Sequence, residues 1–222
     1  MPKQASNIRW VTLHEVARDL RYLLNRGYHK ETSLNFLANR WQLSSLEREV
    51  LTRAVFSHKE ARKRKQRKLL IKEIRGCFLA VDGHNILITV ESALRNLPVF
   101  ICDDGFVRDA SRLSRKFRYS DSSQQALACI IQGLKRLPLK GGVVYFDAPL
   151  SRSGELAALA RQYLSKAGLS FNCEVVKSAD QELKKCPIIA SSDTVLIESV
   201  QGTFDLAAHV ISKVLRQKPK RV

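Results

Sequence analysis

The sequence predicts an α/β protein in two parts: an all-helical segment over residues 1–75, then a five-stranded, mostly parallel sheet with helices on both faces over residues 76–222. Three observations predict it. Residues 30–75 contain no glycine or proline and repeat their apolar positions at helical spacing. After Gly76, short apolar runs alternate with amphipathic stretches, the pattern of strands joined by crossover helices. A composition of 45% hydrophobic and 27% charged residues gives a chain of 222 enough apolar material for one good core.

In the first part, Leu13, Val16, Leu20, Leu23 and Leu24 form one apolar stripe. Thr12–Glu15 (TLHE) and Ser44–Glu47 (SSLE) have the spacing of capping boxes, in which a hydroxyl and a carboxylate each satisfy a helix-end N–H. A helix near 30–42 carries Leu34, Leu37 and Trp41; SLEREVLTRAVFS follows, and HKEARKRKQRKLLIKEI reads as a long basic helix. TSLNFLANRWQL and SSLEREVLTRAV, with a short turn at Leu43-Ser44, form a helical hairpin of which a helix-turn-helix is one form; periodicity does not separate the two. In the second part the strands are CFLAV (77–81), VFIC (99–102), VVYF (143–146), FNCEVV (171–176) and IIA (188–190). Helices are expected near 85–95, 122–137, 153–167, 179–185 and 204–216.

The formal net charge is +17, and its excess is concentrated in the first third: 18 basic and 7 acidic residues in 1–76, against 20 and 14 in the remaining 146. Such a field attracts polyanions, nucleic acid above all. The run KEARKRKQRK (59–68) supplies Arg62, Lys63, Arg64, Lys65, Arg67 and Lys68 as candidate phosphate contacts, which would hold a backbone without reading its sequence. The plainer reading is a solvated helix face. The run lacks the apolar face that inserts into an anionic membrane. No window reaches 18 uninterrupted apolar residues, and the N-terminus has no signal-peptide core, so a cytoplasmic protein is expected. Cys77, Cys102, Cys129, Cys173 and Cys186 include no Cys-x-x-Cys and read as reduced thiols, not zinc ligands.

Four of the five expected strands run into aspartate: Asp82, Asp103-Asp104, Asp147 and Asp193; Asp180 follows the fifth. In an open parallel sheet these ends share one edge, where ligands bind at the topological switch point. Any one of the acids reads equally well as a helix cap. Asp103-Asp104-Gly105 is also turn chemistry, and Asp180 lies within a possible capping box, Ser178–Gln181. Taken together they ask for more. Two carboxylates about 4 Å apart repel by roughly 4 kcal/mol at an effective dielectric near 20, so a shared rim calls for protons or a cation. Oxygen-only ligands suit Mg²⁺ or Mn²⁺.

VDGHN (81–85), with ADQEL (179–183) and IIASSDTVLIE (188–198), resembles the PIN-like nucleases, including their NYN branch, over residues 77 to about 200. More narrowly, the whole chain resembles an uncharacterised prokaryotic family that joins a basic helical segment to such a domain. The resemblance implies a Rossmann-like fold, a metal-dependent ribonuclease and a homodimer. By it, Asp82 and Asp193 match the first and last acids and Asn85 an asparagine of the first motif. Asp147 and Asp180 are the choices for the middle acids, with Glu91 and Asp103 in reserve; Glu91, two turns into its helix, reads as a surface residue. The implied chemistry is in-line hydrolysis of RNA by metal-activated water. Asp82, Asp147, Asp180 and Asp193 would hold Mg²⁺ or Mn²⁺, and Asn85 and Ser192 would orient ligands or phosphate. PLSRSGE (149–155) departs from the family pattern: Ser151, Arg152 and Ser153 form either a phosphate cradle or a capped helix start. That leaves open a site which binds without cutting. His84 reads as a hydrogen-bonded structural residue and His58 as a surface one.

Three functions compete: the ribonuclease, a non-catalytic nucleic-acid-binding or regulatory protein on the same scaffold, and a nucleotide or phosphoester enzyme of another α/β class. The third has no Gly-x-Gly-x-x-Gly and no Gly-x-x-x-x-Gly-Lys-Ser/Thr. Histidine at 84 also removes the Asp-x-Asp of phosphatase-like and topoisomerase-primase sites.

Overall fold

The computed structural model describes residues 8–110, 120–148, 150 and 152–222. Its helical part comprises α1 (Trp10–Asn25), α2 (Lys30–Arg40), α3 (Ser45–Ala54) and α4 (His58–Lys65). α1 starts at Trp10, so Thr12 and Glu15 lie inside it and make no capping box. Ser44 and Glu47 do cap α3, and Ser57 with Glu60 caps α4 in the same way. α4 stops at Lys65, short of the long basic helix expected. Three residues later Lys68–Leu69 forms β1, paired in parallel with Thr203 and Phe204. A run free of helix breakers permits a helix; the strand partner decides otherwise, as tertiary context commonly does.

A 3₁₀ turn (Ile71–Ile74) leads into β2 (Phe78–Asp82), α5 (Gly83–Leu94), β3 (Val99–Ile101), β4 (Val107–Asp109) and α6 (Asp121–Lys135). Then follow β5 (Gly141–Asp147), α7 (Ser153–Lys166), β6 (Phe171–Val176), α8 (Ala179–Leu183), β7 (Ile188–Ala190), α9 (Thr194–Ser199), β8 (Gly202–Phe204), α10 (Leu206–Lys213) and β9 (Lys220–Arg221). Among the described residues the main sheet has six parallel strands, ordered β1-β8-β7-β2-β5-β6, where five were expected. β1 and β8 are the additions. The expected strand at 99–102 is not a member: β3 pairs antiparallel with β4 and parallel with β9 in a separate small sheet.

Alternation along the strands covers both faces. Leu79, Val81, Val144 and Phe146 pack with apolar residues of α5, α6, α7 and α10. Ala80, Val143 and Ile189 point the other way, against Ala179 and Leu183 of α8 and Leu196 of α9. The helical part has its own core of Leu13, Val16, Leu20, Val50 and Leu51, which also takes in Phe100, Cys102, Ala110 and Val222. The bundle is thus packed onto the small sheet, and the small sheet ties it to the main one. The five cysteines are free thiols. No helix of the described residues is long and apolar enough to cross a membrane.

From β2 the chain adds β5 and β6 on one side; from β7 it adds β8 on the other. The order reverses between β2 and β7, and a crevice beyond their C-terminal ends is the place where such sheets bind ligands.

Candidate active site

Asp82 closes β2 and caps α5, its Oδ1 accepting the Asn85 N–H at 3.2 Å. Its Oδ2 accepts from Ser191 Oγ, just past β7, at 2.9 Å. Ser191 Oγ in turn accepts the Asp193 N–H at 3.1 Å, and Asp193 caps α9 through Val195 and Leu196. Asn85 completes the crossing: its Oδ1 accepts both the N–H and the hydroxyl of Ser192, at 2.9 and 3.0 Å. An N–H can only donate, so the oxygen of the Asn85 amide is fixed on Ser192 and its NH₂ is turned to the crevice. Capping and site building are therefore the same act here, performed across the switch point.

The helix can start this close to the sheet because residue 83 is glycine. A Cβ there would stand 2.6 Å from Phe146 Cε1 and 2.7 Å from the Tyr145 carbonyl oxygen. Gly83→Ala is expected to cost about 1–3 kcal/mol by overpacking, read as a lower urea midpoint with an unchanged m-value.

Asp147, at the end of the neighbouring β5, accepts the Ala179 N–H at the start of α8 at 2.8 Å. Its own N–H donates to His84 Nδ1 at 3.1 Å. A ring nitrogen that accepts is unprotonated, and burial lowers the His84 pKa to about 4, so this histidine is neutral and structural. Asp180 lies at the surface of α8, inside the turn that Ser178 caps. Charge links these acids. Burial first, then the charges of Asp180 and Asp147, lift Asp82 to about 7 against the pull of its two hydrogen bonds. Asp180 is raised by partial loss of water, then by Asp193 and Asp147.

All four carboxylates are hard oxygen donors whose mutual repulsion a divalent cation would relieve, so the donor chemistry fits Mg²⁺ or Mn²⁺. Among the described residues no three His, Cys, Asp or Glu side chains are grouped to hold a metal ion. Closing them on one ion requires Asp180 and Asp193 to turn inward, which their partial exposure permits.

Other expected residues lie elsewhere. Asp103 and Asp104 follow β3, outside the main sheet, and bind arginines instead. Asp103 takes Arg21 Nε and the Phe56 N–H; Asp104, fully buried, takes Arg64 and both amino groups of Arg108 at 2.9 Å. Glu91 is buried, not on the surface, and accepts from Ser123 Oγ at 2.9 Å. Ser153 Oγ is used by the carbonyls of Asp147 and Leu150, and Arg152 by Glu155; Ser151 falls outside the described residues. On α4, Lys63 and Arg64 are held by Glu198; beyond it Arg67 donates to the Ile197 and Val200 carbonyls and Lys68 to Asp205. Arg62 and Lys65 are exposed and without partners among the described residues. Sequence reasoning missed Lys30, Arg53 and Arg108, which line a cleft of about 400 Å³ together with Asn85, Ser192 and Asp193. No local motif signals them: they come from α2, α3 and β4.

Fold and site thus define a parallel α/β protein with an acidic rim at its switch point and a helical bundle set over it. A model described as "Domain of unknown function (DUF5616)" matches residues 71–209, and the chain belongs to that family. One described as "Protein of unknown function (DUF434)" matches residues 12–67. The chain is 33% identical over 203 residues to "Uncharacterized protein MJ0935" of Methanocaldococcus jannaschii, covering 90% of this chain and 97% of that protein. No solved structure matches the chain.

Proposed function

We propose that this protein is a metal-dependent ribonuclease whose α/β domain is PIN-like, with Asp82, Asp147, Asp180 and Asp193 holding Mg²⁺ or Mn²⁺. One observation supports the reading: Asp82, Asp147, Asp180 and Asp193 come from four separate segments near the switch point, and the charges of Asp180 and Asp147 add to burial in lifting the Asp82 carboxyl to about 7. A bound divalent ion supplies charge neutralisation at the phosphate and a lowered pKa for the attacking water. The protein's own groups do the placing. The Asn85 amide, locked by Ser192, offers a fixed N–H donor to a phosphate oxygen. Ser191 keeps Asp82 and Asp193 in one register. His84, neutral, holds the backbone from which Asp147 projects.

The test is cleavage of mixed RNA with Mg²⁺ or Mn²⁺ against an EDTA control. Wild type cuts only with metal, and Asp82→Asn and Asp193→Asn each fall by about a hundredfold or more, the scale of losing one preorganised group at a reacting phosphate. Cleavage in EDTA, or by both variants at the wild-type rate, refutes the assignment. That no three His, Cys, Asp or Glu side chains of the described residues are grouped to hold a metal ion favours a second reading, a nucleic-acid-binding protein that does not cut. Metal-independent RNA binding without cleavage selects it.

A further inference from the structure

We propose that the RNA strand is gripped in the cleft between α2–α3 and the β2/β7 crevice, with Lys30 and Arg53 as its phosphate contacts, and not along α4. The identity of the polyanion rests on the ribonuclease reading; the location of the grip does not.

The cleft has a cationic wall and a polar floor. Lys30, Arg53 and Phe56 of the helical part face Asn85, Ser192 and Asp193 at the crevice. Its volume of about 400 Å³ lies within the ~300–1,000 Å³ range of small-molecule sites, which suits a piece of single strand and not a duplex. Most cations nearby are already spent. Arg108 gives both amino groups to Asp104 and its Nε to the Ser192 carbonyl, and Arg64 pairs with Asp104 and Glu198. Lys30 differs. Its Nζ donates to the Thr52 carbonyl and stands 4.2 Å over the Phe56 ring, yet no carboxylate of the described residues lies within ion-pair distance. Burial first, and the charges of Arg64 and Arg108, lower its pKa to about 8 against the pull of Glu60. A half-buried ammonium among other cations and without a counter-ion is relieved by an arriving anion. Arg53 gives its Nε to Glu49, and its guanidinium lines the same wall. A phosphate between these two and the Asn85 amide would sit directly beside Asp193.

The position explains the charge run. Much of the basic segment closes the helical part onto α9 and the loops after it, as the contacts of Lys63, Arg64, Arg67 and Lys68 show. Of the cations that line the cleft, Lys30 is the one with no ion pair among the described residues, and Arg53 is held through its Nε by Glu49.

The test is fluorescence anisotropy of a short labelled single-stranded RNA, in EDTA so that no cleavage intervenes, over a salt series. The full-length Lys30→Met/Arg53→Gln variant is expected to bind about tenfold or more weakly, with a salt slope shallower by about 1.4, from ~0.7 per phosphate contact on a single strand. Arg62→Gln/Lys65→Gln stays within about threefold of wild type on the same counterion-release argument. Lys30→Arg retains affinity, which separates lost charge from lost fold. Wild-type affinity in the cleft variant, a loss confined to the α4 variant, or no RNA binding by wild type overturns the inference. Metal-dependent cleavage that needs Asp82, with binding untouched in the cleft variant, leaves the nuclease reading standing and removes only the grip. Binding that depends on the cleft, without cleavage, does the reverse.

Discussion

Asp82→Asn is expected to make the metal-free protein more stable above pH 7 while removing cleavage. Asp82 is buried, and its pKa rises from 3.8 to about 7. The folded state therefore binds this proton more tightly than the unfolded chain. Stability contributed by the protonated acid is full below about pH 4 and is lost as pH rises through 7, on the order of 4 kcal/mol for a shift of about three units. His84 works in the opposite sense. Its pKa falls from 6.5 to about 4 on burial, so its neutral form stabilises the fold above 6.5, and that contribution is lost as pH falls toward 4. This amounts to roughly 3 kcal/mol. Between about 4 and 6.5 the two slopes oppose each other, and wild type should be nearly flat there. Removing the carboxylate uncovers the histidine: the variant loses stability on acidification from 6.5 to 4, yet exceeds wild type at pH 8. Urea midpoints in EDTA from pH 4 to 8 read both arms. Parallel profiles for wild type and variant would show that Asp82 does not titrate in the fold as described. At pH 8 Mn²⁺ should raise the wild-type midpoint by mass action and leave the variant unmoved.

This double use of Asp82, as a cap and as a charge, marks how far the sequence could be read. β2, β5 and β6 are runs of five to seven residues whose apolar content and bounding turns show them directly. β1, β4, β8 and β9 hold two or three residues each, too few for any period to appear. VFIC looked like a central strand because a short apolar run ending in Asp-Asp-Gly has the same local form in a hairpin. Hence Asp104 and Asp82, alike in sequence, have opposite fates. One is neutralised by arginines from α4 and β4, and the other faces further carboxylates. Arg108 lies only four positions from Asp104, but Arg64 is 40 positions away and the Asp180 that faces Asp82 is 98 away, and no local pattern carries those two. Glu91 is the same lesson, since the Ser120 and Ser123 hydroxyls that donate to its carboxylate lie 29 and 32 positions away. Lys30 was one lysine among many until α2 and α3 folded over the crevice.

Arg108→Met should give the largest loss of stability, because Arg108 is where the helical part, the small sheet and the crevice are joined. It is 5% exposed, and its guanidinium spans Asp104 on one side and the Ser192 carbonyl, at 2.7 Å, on the other. Asp104 has no exposure and counts on Arg108 for two of its donors; Arg64 and the Phe106 N–H supply the rest. Methionine fills similar space but leaves a buried carboxylate half-satisfied, which costs about 3–5 kcal/mol. Asp104→Asn with Arg108→Met removes the orphaned charge as well, so the double variant should recover about 1–3 kcal/mol of the summed single losses. The damage reaches the crevice by a defined route. Ser192 loses the donor on its carbonyl, and it is the N–H and hydroxyl of Ser192 that hold the Asn85 amide. Cleavage per folded molecule should therefore fall, although Arg108 touches none of the four acids. Urea unfolding of both singles and the double measures the coupling. A cost below about 1 kcal/mol for Arg108→Met, the range of an exposed ion pair, would mean that this buried cluster does not hold the bundle to the sheet.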